Sequence, residues 1–149
     1  MRVVQAGPKK ISGLSIRTLN NDEMNSTTAK IGPLWEKFDS AVTVDYKNGA
    51  RMYGLYFGYE SDANGEFTVL AGTDQVSPPS TAVLEEITIP AGKYLVFEAK
   101  GEMPQIVIDA WGDIWNCFSS GDAEYERAYN VDFEYYNNEN EIEIYISVK

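Results

Sequence analysis

The chain contains no histidine and only one cysteine, Cys117, among its 149 residues. Without an imidazole it has no histidine general base, so histidine-dependent catalysis is excluded. A single cysteine cannot form an internal disulfide bond, and with histidine absent the common zinc sites are excluded as well. We therefore expect no bound metal and no cofactor, and we expect Cys117 to be an inert, buried thiol.

Long hydrophobic runs and positive charges are also scarce. No apolar stretch approaches the ~20 residues that a membrane-spanning helix needs, and no secretory signal precedes Val3. The 12 Lys and Arg residues are scattered and outnumbered by 23 Asp and Glu residues, which gives a formal net charge of -11. Such a field opposes contact with nucleic-acid phosphates and favours cationic partners. These features predict a soluble, cytoplasmic protein that binds neither membranes nor nucleic acid directly.

The second half of the sequence repeats the first half, in a chain whose 44% hydrophobic residues are ordinary for one globular domain. Three residues of one segment recur 80 positions later: Gly32 as Gly112, Trp35 as Trp115 and Phe38 as Phe118. Residues that agree between the copies are expected to hold the fold, so we predict that both tryptophans lie in the core. Residues that differ are free to carry function. The sharpest difference is Gly54 in the first copy against Glu134 in the second.

Each copy has the pattern of strand, helix, strand and strand. Asn20-Asn21-Asp22 is a helix-start signal, and apolar residues from Ile31 to Phe38 follow at helical spacing. A second helix is predicted from Pro104 to Phe118. Strands are predicted at 2–5, 11–19, 51–59, 66–72, 82–89, 93–99, 132–136 and 141–148. This order predicts an α+β fold with a mostly antiparallel sheet. We expect one domain, 1–149, made of repeats at about 1–76 and 81–149, with residues 77–80 as the linker.

The last two strands are predicted to form a β-hairpin with a four-residue loop at Asn137–Asn140. In that register Glu134 faces Glu143 directly across the ladder. Alternation then places two sets of side chains on opposite faces. The apolar face carries Phe133, Tyr135, Ile142, Ile144 and Ile146. The other face carries Glu134, Tyr136, Glu141, Glu143 and Tyr145.

The facing pair Glu134 and Glu143 is the strongest chemical signal in this pattern. Like charges opposite each other destabilise a ladder by up to ~1 kcal/mol, and a cation between them would reverse that effect. Tyr136 and Tyr145 share the face, and aromatic rings attract organic cations. The alternative is that this face is simply the solvated side of a half-exposed hairpin. Trp111, whose counterpart is Ile31, is likewise either a site aromatic or a core tryptophan.

Several motifs, taken in order, resemble the GyrI-like small-molecule-binding domain, which serves as the effector-binding domain of AraC-type and multidrug-responsive transcription regulators. The motifs span 11–14, 52–56, 89–94, 110–115, 132–136 and 141–148. The resemblance implies two β-α-β-β units about a pseudo-twofold axis, with a ligand cleft where the units meet. Where the family usually has a proline near the chain end, this sequence has Ser147. We expect that departure to affect the chain end rather than the cleft.

The resemblance also implies the content of the cleft. Family members that sense drugs hold lipophilic cations on an acidic residue ringed by aromatic side chains. That acidic residue matches Glu134, and we expect the site to comprise Glu134, Tyr136, Tyr145, Glu143, Trp111 and Tyr56. The regulators also carry a DNA-binding helix-turn-helix unit, for which 149 residues leave no room. The resemblance therefore implies a stand-alone protein that sequesters or senses cationic amphipathic molecules.

Two other functions remain open at the level of sequence, and no catalytic residue is assigned. The first is hydrolysis of strained electrophilic compounds, with Glu134 as general base and Tyr136 or Tyr145 as the orienting group. The second is a protein-interaction role, in which the acidic surface inhibits a DNA enzyme such as gyrase. A protein partner would then be gyrase or a transcription regulator.

Overall fold

The computed structural model describes residues 2–61, 64–77, 83–120 and 124–149. All of the predicted linker 77–80 except Ser77 lies outside these residues, as does Ala82 of the strand predicted at 82–89. The first half comprises β1 (Arg2–Ala6), β2 (Lys9–Thr18), α1 (Asn20–Glu23), α2 (Ile31–Ala41), β3 (Thr43–Val44), β4 (Met52–Phe57), β5 (Phe67–Thr73) and β6 (Val76–Ser77). The second half comprises β7 (Glu85–Ile89), β8 (Gly92–Lys100), α3 (Gln105–Ser119), β9 (Asp132–Asn138) and β10 (Glu141–Ser147).

Eight strands form one curled antiparallel sheet in the order β1-β8-β10-β9-β4-β5-β2-β7, and β3 pairs separately with β6. The predicted α+β fold with a mostly antiparallel sheet is confirmed. Strands β9 and β4 lie at the centre of this order, with three strands on each side. In that central pair Gly54 lies directly opposite Glu134. These are the two positions at which the predicted repeats differ most.

The sheet buries apolar side chains on both faces. On one face α2 packs Leu34 and Phe38 against β5, while α3 packs Ile106, Ala110 and Ile114 against the isoleucines of β10. The opposite face has its own cluster, which includes Ile11, Leu55, Leu70, Tyr94 and Phe133. Each fully buried side chain of this size stabilises the fold by ~1.5–3 kcal/mol. No helix in the described part of the chain is long and apolar enough to cross a membrane.

The closing hairpin is present, but its predicted register is wrong by one residue. β9 continues to Asn138, the turn is the two residues Glu139 and Asn140, and a β-bulge follows at Glu141/Ile142. Ile144 therefore lies opposite Glu134, and Glu143 lies opposite Tyr135. Because side chains alternate with a period of two, this shift moves Glu143 and Tyr145 to the face opposite Glu134. The predicted facing pair of glutamates does not exist.

The start of the first helix also differs from the prediction. Asn20-Asn21-Asp22 begins the separate short helix α1, and α2 begins only at Ile31. The chain between them turns through hydrogen bonds such as Thr28 N–H to the Asn25 carbonyl at 3.0 Å. As a result α1 and the first turn of α2 lie next to each other at one end of the helix face.

Candidate ligand cleft around Glu134

A cleft of about 460 Å³ lies between α2 and α3, above the central strands β4 and β9. Its floor carries Tyr56 from β4 and both Glu134 and Tyr136 from β9. Its walls carry Trp35 from α2, and Trp111 and Trp115 from α3. The cleft therefore forms where the two halves meet, and seven of the seventeen described residues that line it are aromatic.

Glu134 occupies the centre of the floor because the position opposite it has no side chain. A Cβ placed on Gly54 would lie 2.5 Å from Glu134 Oε1 and 3.2 Å from Trp35 Cζ2. Real Cβ atoms do not approach another atom as closely as 2.5 Å, so a larger residue at position 54 would displace the carboxylate. The difference between Gly54 and Glu134 thus has a steric reason, because a side chain at position 54 would occupy the space that the Glu134 carboxylate fills.

Three donors hold the Glu134 carboxylate, which is 1% exposed. The Trp111 indole donates to Oε2 at 2.7 Å, the Tyr56 hydroxyl to Oε2 at 2.9 Å, and the Tyr136 hydroxyl to Oε1 at 2.9 Å. Burial raises the pKa of Glu134 above its ordinary value, and these three hydrogen bonds act in the opposite direction. None of the ion pairs among the described residues includes Glu134. The cleft therefore contains a buried acid without a basic partner.

The aromatic side chains around the carboxylate also contact one another. Tyr56 packs edge to face on Trp111 with ring centroids 5.0 Å apart, and Trp35 packs in the same way on Tyr136 at 5.5 Å. Burial, and then the charge of Glu134, raise the pKa of both Tyr56 and Tyr136 well above the ordinary value. Both hydroxyls therefore keep their protons and act as donors near neutral pH.

Four of the six predicted site residues, Glu134, Tyr136, Trp111 and Tyr56, lie together in this cleft. The placement of Glu143 and Tyr145 beside them is wrong, as the hairpin register shows. Those two residues pair with each other on the other face of the sheet, where the Tyr145 hydroxyl donates to Glu143 Oε1 at 2.7 Å. There the Tyr145 ring stacks on Phe133 at 4.4 Å.

The tryptophans that the two copies share are cleft residues as well. Trp115 is 39% exposed, so its assignment to the core is wrong, and Trp35 is only partly buried against the core. Trp35 from α2 and Trp115 from α3 both line the cleft. The agreement between Trp35 and Trp115 therefore corresponds to two walls of one cleft rather than to two core positions. In the sequence, this role is indicated by apolar residues that cover more of each helix than one core-facing stripe needs.

A polar network behind the cleft wall escaped the sequence analysis. Asp132, fully buried on β9, accepts hydrogen bonds from the Tyr59 hydroxyl at 2.6 Å and from Arg127 Nη2 at 2.7 Å. It also accepts from the Ser147 backbone N–H at 2.8 Å and the Ser147 hydroxyl at 2.9 Å. Tyr59 and Arg127 both line the cleft. Ser147, expected to matter only at the chain end, therefore supports the cleft wall through Asp132.

Comparison with known proteins shows which family has this sequence and fold. A family model described as Cass2, integron-associated effector binding protein, matches residues 2–148. The chain belongs to the Cass2 family. An integron cassette protein of this family, VCH_CASS2 from the mobile metagenome of Vibrio cholerae, has a solved structure that is 43% identical to the chain. The two superpose with a TM-score of 0.90 over 99% of this chain and 95% of that one.

Two further relatives confirm the GyrI-like resemblance of this Cass2 family member. YobU of Bacillus subtilis (strain 168), whose name describes a transcriptional regulator, is 30% identical over 155 residues, which cover 95% of this chain and 92% of YobU. The solved structure of SAV2435 bound to tetraphenylphosphonium has a TM-score of 0.67 at 20% identity. The match covers 99% of this chain and 93% of that one, and at this identity it shows the common fold.

Proposed function

We propose that the cleft binds lipophilic organic cations, with Glu134 as the counter-charge and Tyr56, Trp111, Tyr136 and Trp35 as the aromatic surround. The observation that carries the proposal is the buried Glu134 carboxylate, which has three neutral donors and no basic partner among the described residues. A cation brought against it forms an ion pair in a site largely shielded from water, where attraction exceeds that in bulk solvent.

The donors around Glu134 favour a cation without N–H groups of its own. A carboxylate offers about four acceptor sites, and three are already used. A quaternary ammonium or phosphonium ion needs no hydrogen bond and gains its energy from charge and from contact with aromatic faces, at ~0.5–2 kcal/mol for each ring. SAV2435, which shares the fold, was solved with an ion of this kind bound. Family membership as an effector-binding protein fits a role in sensing or sequestering such ions.

The direct test compares cations with neutral molecules of similar shape. Isothermal titration calorimetry with tetraphenylphosphonium should show binding, and triphenylphosphine oxide, which is neutral, should bind far more weakly. Glu134→Gln should weaken the cation by ~1.5–4 kcal/mol, the range for losing a buried charged partner. Glu139→Gln, which removes the same charge from the exposed hairpin turn, is the matched control and should leave affinity unchanged. Equal binding by Glu134→Gln and the parent would remove Glu134 from the site.

A second candidate, hydrolysis of strained electrophiles, draws on the raised pKa of Glu134, which suits a general base. Tyr145 lies on the other face and cannot orient a substrate there, whereas Tyr136 and Tyr56 lie within hydrogen-bond distance of Glu134. Incubation with an aromatic epoxide, followed by chromatography, separates the two functions. Loss of the epoxide with time in the parent, but not in Glu134→Gln, would favour the enzyme.

A further inference from the structure

Glu23 is a second carboxylate in the lining of the same cleft. It is the last residue of α1 and lies against the start of α2. The Thr18 hydroxyl donates to its Oε2 at 2.6 Å, and the backbone N–H of Lys30 donates to the same oxygen at 2.9 Å. The backbone N–H of Ile31 donates to Oε1 at 3.1 Å. The carboxylate is thus held in one position before any ligand arrives, which reduces the entropy lost on binding.

The charge of Glu23 has no full positive counterpart. None of the ion pairs among the described residues includes it, and Lys30 directs its ammonium group to the Arg17 carbonyl at 3.1 Å. The partial positive charge at the N-terminus of α2 is what compensates it. Three hydrogen bonds from neutral donors leave this negative charge available to a cation.

The charges in the cleft leave two negative groups unmatched. Among the described residues that line it, Arg127 is the one basic side chain, and it is paired with buried Asp132 at 2.7 Å. These two charges cancel, and Glu23 and Glu134 remain. A singly charged ligand at Glu134 would therefore leave the charge of Glu23 unbalanced.

One wall of the cleft connects the two carboxylates. Ile31, the first residue of α2, donates to Glu23, and Trp35 follows four residues later, about 6 Å further along the helix axis. The Trp35 ring lies 5.5 Å from the ring of Tyr136, whose hydroxyl donates to Glu134. An elongated ligand along this wall would meet a carboxylate at each end.

We propose that Glu23 is a second anionic subsite and that the cleft prefers elongated dications with an apolar centre over monocations. The inference rests on the proposed function, because Glu134 has to hold the first cationic group. Ile31 and Trp35 would contact the apolar centre of the ligand. Since Glu23 is partly exposed and Glu134 is buried, the contribution of Glu23 is expected to be the smaller of the two.

The test uses a homologous series of alkanes with a trimethylammonium group at both ends, in which only the methylene spacer lengthens. Each dication is compared by calorimetry with a monocation of equal length, in which one trimethylammonium group is replaced by neutral tert-butyl. The parent should bind the dication about tenfold more tightly at one favoured spacer length, a gain between that of an exposed ion pair and that of a charge-assisted hydrogen bond. Glu23→Gln should abolish this preference, because the dication should lose about tenfold more affinity than the monocation does.

The controls separate this inference from the proposed function. Glu134→Gln should weaken monocations and dications alike, and Glu139→Gln should change neither. Glu23→Gln also alters the hydrogen bonds between Glu23 and the start of α2. Monocation binding by this variant therefore shows whether its cleft is still intact. If that variant fails to bind monocations, the parent's dependence on spacer length decides, because two fixed carboxylates require an optimum. No dication preference at any length in the parent, or a preference that survives in Glu23→Gln, would overturn the second subsite even if monocation binding at Glu134 holds.

Discussion

Replacing Gly54 with alanine should damage both stability and binding, although the same change usually helps a strand. Glycine inside a strand is less stable than alanine by ~0.5–1 kcal/mol, so the general expectation is a gain. Here the new Cβ would lie 2.5 Å from Glu134 Oε1 and 3.2 Å from Trp35 Cζ2. The carboxylate cannot move aside freely, because Trp111, Tyr56 and Tyr136 all donate to it.

We therefore expect Gly54→Ala to lower the free energy of unfolding by ~1–3 kcal/mol, the range for overpacking a buried site. Urea denaturation followed by tryptophan fluorescence measures the change, and calorimetry with tetraphenylphosphonium should show weaker binding. Gly112→Ala is the matched control, because a Cβ there meets nothing within 4 Å. That helical substitution should raise stability by up to ~1 kcal/mol and leave affinity unchanged.

A double-mutant cycle locates the clash. If the loss of stability arises at the carboxylate, Gly54→Ala should lower the free energy of unfolding much less when Glu134 is already alanine. The coupling energy between the two substitutions should then approach the full loss caused by Gly54→Ala alone. Gly54→Ala with parental stability and parental cation affinity would refute the steric reason given for the glycine.

Three further predictions concern other parts of the cleft. Because the pKa of Glu134 is raised in the fold above its ordinary value of 4.5, its ionised form opposes folding at pH above the folded pKa, and protonation relieves this as pH falls toward 4.5. The unfolding free energy of the parent should therefore rise relative to that of Glu134→Gln as pH is lowered, and cation affinity should fall over the same range; a constant difference would contradict the raised pKa. Trp115→Ala should lower the free energy of unfolding by under ~1 kcal/mol, because the side chain is 39% exposed. Phe38→Ala removes a fully buried side chain and should lower it by ~3–5 kcal/mol. In a fluorescence titration, aromatic cations should bind Trp115→Ala more weakly than the parent. Ser147→Pro removes two donors from buried Asp132 and should cost at least ~2 kcal/mol in urea denaturation, while Ser147→Ala, which keeps the backbone N–H, should cost less.

The sequence was sufficient to predict the elements that have one apolar face and the residue at which the repeats differ most. Both long helices follow the predicted spacing, and Glu134 was identified because glycine and glutamate occupy equivalent positions. The hairpin register was not predictable by the same logic. β9 and β10 bury apolar side chains on both faces, so alternation favours neither register, and the bulge at Glu141/Ile142 decides between them.

Glu23 and Trp115 escaped for a different reason. Glu23 directly follows the helix-start signal Asn20-Asn21-Asp22, yet it ends the short helix α1 and supports the next helix through its side chain. Trp115 matches Trp35, and agreement between repeats predicts core packing, whereas the side chain is 39% exposed. Both residues take their positions from contacts between elements that are separate in the sequence, and local pattern carries no information about such contacts.

The position of Glu134 directly opposite Gly54 has a consequence for how such a site can arise. Side chains at these two facing positions would occupy a single volume above the sheet. Two glutamates would compete for that volume, and two glycines would leave it without charge. A solitary central carboxylate is therefore incompatible with perfect symmetry, and an assembly of two identical half-chains could not build this cleft. When both halves belong to one chain, position 54 can be glycine, which has no side chain, while position 134 is a glutamate whose carboxylate fills the space.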